Sequence, residues 1–131
     1  MVIAQSSPTK LTPEVLEERL VDFAVRVISL VKFLEESTTG RTIASQVVRS
    51  GTSPAANYAE ARSAESKADF VHKLRIVIKE LNETAVWLRI IEKAKLVTAS
   101  QLGELNLECE ELKRIIGASL RTAKNREASD Q

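Results

Sequence analysis

The chain has 131 residues, 44% of them apolar, with one cysteine and a net charge of only +1. A domain of this size buries roughly two thirds of its unfolded surface, so it needs no metal or disulfide staple, and a lone cysteine excludes an intramolecular disulfide. With 4% aromatic residues and four glycines there is little material for sheets and tight turns, and the composition points to an all-α protein.

Residues 1–11 form a short polar leader, expected to be disordered or extended, without the basic-then-apolar order of a signal peptide. No apolar run approaches the ~18 residues that a bilayer requires. The expectation is a cytoplasmic protein without membrane contact.

A first helix is predicted from Thr12, as N-cap with Pro13 behind it, to about Glu36. Its core stripe is Leu16, Leu20, Phe23, Val27, Leu30 or Val31, and Leu34, and Ser37 to Gly40 read as a polar break. The second helix, Arg41 to about Arg62, contains Gly51 and Pro54. An interior proline removes the bond to the carbonyl four residues back, so a kink is expected near Ser50 to Pro54. Gln46, Arg49, Ser53, Asn57 and Glu60 recur at spacings of three and four and share one polar face, which suits an interhelix or groove network.

The third helix is predicted from about Lys67 to Ala94, with Phe70, Leu74, Val77, Leu81 and Leu88 inward. Ile76, Trp87 and Ile90 make a second apolar edge beside Glu80 and Glu83, either a broad core contact or a subunit interface anchored by Trp87. Between the two edges run Arg75, Lys79, Asn82, Arg89 and Lys93. Thr98 resembles the N-cap of a fourth helix with Leu102, Leu105, Cys109, Leu112, Ile116 and Leu120 inward. An antiparallel up-and-down four-helix bundle over residues 12–122 follows, with 123–131 as a frayed tail.

Charge is distributed unevenly: net −2 over residues 1–40, +4 over 41–95 and −1 over 96–131. Candidate phosphate contacts are Arg49, Arg62, Lys67, Lys73, Arg75, Lys79, Arg89 and Lys93. Parts for catalysis are missing. The polar face of the second helix holds one carboxylate and no nucleophile with a matched base, His72 has no ligand cluster beside it, and the glycines form no phosphate loop. Cys109 occupies a core position, where a thiol acts as a small hydrophobe. No catalytic residue, metal or cofactor is expected.

The pattern Gln46-Val-Val-Arg49-Ser50, Ser53-Pro54-Ala-Ala-Asn57-Tyr-Ala-Glu60, then Ser66-Lys67-x-Asp69-Phe70, Leu74 and Glu80-Leu81-x-Glu83, resembles the proteins encoded by intervening sequences in bacterial 23S ribosomal RNA genes. It is more distantly similar to the accessory protein of diversity-generating retroelements. The resemblance implies a four-helix bundle assembled as a ring, commonly a homopentamer, with positive surface suited to nucleic acid, and no settled activity. Where the family continues with glycine after Glu60, this chain has Ala61 and Arg62, which should let the second helix run further. The leading expectation is a non-enzymatic ring that binds RNA or DNA through phosphates, without base-specific readout. The alternative is a protein–protein interaction or scaffold module with no nucleic-acid binding.

Overall fold

The computed structural model describes residues 10–129. Four helices follow in order: α1 (Pro13–Val31), α2 (Thr38–Arg62), α3 (Lys67–Lys93) and α4 (Ala99–Ser129). The chain forms the all-α four-helix bundle expected from its periodicity. Most of the predicted leader, residues 1–9, lies outside the described residues.

Thr12 caps α1, its Oγ1 accepting the Val15 N–H at 3.1 Å, and the whole expected stripe from Leu16 to Leu34 is buried. The helix stops at Val31, earlier than the expected Glu36. Phe33 and Leu34 donate to the Leu30 and Val31 carbonyls at 3.0 and 2.9 Å, three-residue bonds that tighten the turn and return Leu34 to the core. Ser37 then caps α2 by accepting the Gly40 N–H at 2.9 Å, so α2 begins three residues before the expected Arg41. The polar break is therefore a helical turn. Gly40 is needed there, because a Cβ would stand 1.8 Å from the Leu34 carbonyl oxygen.

The Gly51–Pro54 segment, where a kink is expected from sequence, lies inside one continuous helix. A Cβ on Gly51 would stand 2.9 Å from both methyl carbons of Val27, so glycine there lets α1 and α2 approach closely. Ser66 caps α3 by accepting the Asp69 N–H at 3.0 Å. At its far end Lys95 (φ 56°) and Leu96 donate to the Glu92 and Ile91 carbonyls, a left-handed cap that usually uses glycine. Thr98 precedes α4 as expected, its N–H held by Gln101 Oε1 at 2.8 Å. The helix continues to Ser129, through most of the segment expected to fray.

Around the bundle the helices neighbour in the order α1, α2, α3, α4; α1 is diagonal to α3, and the α1–α4 seam is the thinnest of the four contacts. The core adds Ala24, Val71, Ile91 and Ile115 to the expected positions, whereas Phe70 and Leu120 are only half-buried. Two polar side chains, Ser50 and Thr84, are fully buried. None of the helices is long and apolar enough, among the described residues, to cross a membrane.

Candidate nucleic-acid interface

Helical spacing turns Arg75, Lys79, Asn82, Arg89 and Lys93 away from the core, and all five are exposed. At 1.5 Å of rise per residue the row spans about 27 Å. None of its four cations makes an ion pair among the described residues. A row of uncommitted cations on a rigid helix can follow a phosphate backbone without reading bases.

Three other candidates are committed within the bundle. Arg62 reaches from α2 to Glu17 at 2.9 Å and Glu14 at 3.2 Å on α1, and its hydrogen bond to Glu17 raises its pKa. Lys73 bonds Glu60 at 2.6 Å, which likewise raises the lysine pKa. Arg49 bonds Glu80 at 3.2 Å, Glu83, and the Gln46 side chain at 3.4 Å. Lys67 is exposed at the start of α3.

The polar face of α2 divides into three separate groups. Gln46 and Arg49 join the α3 acids; Asn57 Nδ2 donates locally to the Ser53 carbonyl and hydroxyl at 3.0 and 2.9 Å; Glu60 holds Lys73. Of the interface candidates, Trp87 is half-buried against the core and donates its indole N–H to Glu83 at 3.0 Å, Ile76 is half-buried and Ile90 is exposed.

Sequence reasoning missed the exposed apolar residues Phe33 and Leu107, which flank the α1–α4 seam beside Arg26 and Glu104, and Val21, Val25 and Ile28, whose helical spacing off the core stripe was an available signal. Across that seam Arg19 grips Glu108 with two bonds, at 3.1 and 2.7 Å, which raise the arginine pKa. Cys109 is 1% exposed, and burial pushes its thiol pKa up to about 12. His72 is exposed, and no group of three or more potential metal ligands occurs among the described residues.

A concavity of about 580 Å³ opens at the end of the bundle where α1 begins and α2 turns into α3. Tyr58, Phe70 and Pro13 line it, with Arg62, Lys67 and Arg126 among its charged residues. The Tyr58 ring is buried, which raises the phenol pKa, and its hydroxyl has no hydrogen-bond partner among the described residues. Among the described residues no buried side-chain polar atom lacks a partner, so that hydroxyl reaches solvent.

A solved structure from Bacteroides thetaiotaomicron, described as a protein of unknown function from the S23 ribosomal protein family, is 34% identical. The similarity covers 85% of this chain and 99% of that one, with a TM-score of 0.79. No match is found among curated proteins. The family model for the 23S rRNA-intervening sequence protein matches residues 16–118, nearly the whole bundle. With the four helices and the polar and basic pattern of α2 and α3 in place, the chain belongs to the 23S rRNA-intervening sequence protein family.

Proposed function

We propose that the protein is a non-enzymatic, self-assembling bundle that binds structured RNA through the outward face of α3, with Arg75 and Lys79 as principal phosphate contacts. The observation that carries this reading is the division of the candidate cations. Arg49, Arg62 and Lys73 are held by carboxylates of the bundle, whereas Arg75, Lys79, Arg89 and Lys93 stay exposed in one row with no ion pair among the described residues. A closed ring would repeat the row around its axis and raise avidity without a high overall charge. The family's description, which names a 23S rRNA intervening sequence, makes an rRNA hairpin the first probe.

The test is the affinity of a labelled hairpin as a function of salt, with the solution mass measured in parallel. Affinity should fall about tenfold or more between 50 and 200 mM salt. Arg75→Glu with Lys79→Glu should weaken all hairpin sequences about equally, while Arg62→Gln, which loosens a pair inside the bundle, leaves affinity unchanged. Binding indifferent to salt and to the double reversal refutes the reading. An assembled protein that binds no hairpin at low salt returns the scaffold alternative.

A further inference from the structure

From the cavity at the end of the bundle we infer that the protein has a pocket for one unpaired nucleotide, aromatic at its floor and cationic at its rim. The proposal rests on the RNA reading above and adds a site to it. The floor is formed by Tyr58 from α2 and Phe70 from the first turn of α3, with Pro13 beside them. Arg62, Lys67 and Arg126 contribute positive charge to the lining against one carboxylate, Glu65. A volume of about 580 Å³ lies within the range of small-ligand sites.

Each part of a nucleotide meets a matching surface. A base offers a flat apolar face, which gains by stacking on aromatic rings whatever its identity. Its edge carries hydrogen-bonding groups, and the unpartnered Tyr58 hydroxyl is the polar atom on the floor available to meet them. Its phosphate meets the cations, of which Arg126 is exposed and makes no ion pair among the described residues. Arg62 is held by Glu14 and Glu17, so it supplies field more than a direct contact.

Position supports the same occupant. Phe70 lies five residues before Arg75 on the same helix, about 7.5 Å along its axis. Five residues also turn Phe70 about 140° around the axis from Arg75, so a strand whose phosphates follow the α3 row must bend around the end of the helix to reach the pocket, which a single-stranded overhang can do and a duplex cannot. The row supplies length and charge, and the pocket distinguishes a free end or a looped-out base from a continuous duplex.

The experiment compares a blunt RNA hairpin with the same hairpin carrying a single 3′ 2-aminopurine overhang, using the full chain. The overhang should raise affinity about tenfold, and the 2-aminopurine emission should be quenched on binding. Phe70→Leu keeps the apolar volume but removes the ring, and Arg126→Glu reverses an exposed charge. Each should abolish the advantage and the quenching while leaving blunt-hairpin affinity unchanged, and adenosine monophosphate should displace the overhang but not the hairpin. Equal affinity for the two hairpins, with the blunt one bound, overturns the pocket and leaves the α3 row standing. Overhang binding that survives Arg75→Glu with Lys79→Glu keeps the pocket and removes the row. Binding of neither hairpin, or displacement by a fatty acid but not by the nucleotide, overturns the pocket.

Discussion

Thr84 Oγ1 on α3 lies 2.9 Å from Ser50 Oγ on α2, and both side chains are completely buried. Thr84 Oγ1 is also 2.8 Å from the Glu80 carbonyl oxygen, and Ser50 Oγ is 3.5 Å from that of Val47. Two hydroxyls thus satisfy each other inside an otherwise apolar contact. Thr84→Val leaves the Ser50 hydroxyl only its 3.5 Å contact to Val47 and should cost about 1–3 kcal/mol, whereas Ser50→Ala leaves Thr84 on the Glu80 carbonyl at 2.8 Å and should cost about 1 kcal/mol or less. The double variant should cost clearly less than the sum. A urea-denaturation cycle checks this, and strict additivity would show that the pair is not coupled.

Gly51→Ala inverts an ordinary expectation. On an exposed helix the change gains roughly 1 kcal/mol, but here the new methyl meets both Val27 methyls at 2.9 Å. Overpacking should win, with a loss of about 1–3 kcal/mol. In a Val27→Ala background the same change should become neutral or stabilising. Thermal unfolding of the four proteins decides it, and a loss of equal size in both backgrounds would place the strain elsewhere.

The thiol of Cys109 makes a prediction for alkaline solution. An unfolded cysteine ionises near about 8.5, whereas burial holds Cys109 up to about 12 in the fold. Raising the folded pKa means that its contribution to stability is complete below the unfolded value and is lost as pH rises through the folded one. Stability should decline between about pH 9 and 12, and Cys109→Ala should flatten that decline whatever its cost at neutral pH. At pH 7.5 iodoacetamide should label the native protein only at the rate of its unfolding; immediate labelling would contradict the burial.

The helices and most of the core were legible in the sequence because inward positions repeat with the helical period from Leu16 to Leu34 and from Leu102 to Ile116. The start of α2 was not. Two threonines and a glycine look like a break, and the need for Gly40 arises from the Leu34 carbonyl, a tertiary contact. Among the cations, Arg75 and Arg62 look alike in sequence. They are told apart by Glu14 and Glu17, on a helix more than forty residues away. Phe70 read as a core position by spacing; its place on the floor of a cavity depends on the turn into α3, which periodicity does not describe.

The thin α1–α4 seam sets an order of opening. α1 along α2 and α4 along α3 make contacts of similar breadth, α2 and α3 share the broadest one, and across the thin seam Arg19 grips Glu108. Amide hydrogen exchange should therefore resolve two tiers. Protons of α2 and α3 should escape only through global unfolding, and those of α1 and α4 that face the seam through a cheaper event that parts these two helices. Arg19→Ala should accelerate exchange in α1 and α4 and leave α3 unmoved, so that the bundle opens like a book whose spine is the α2–α3 contact.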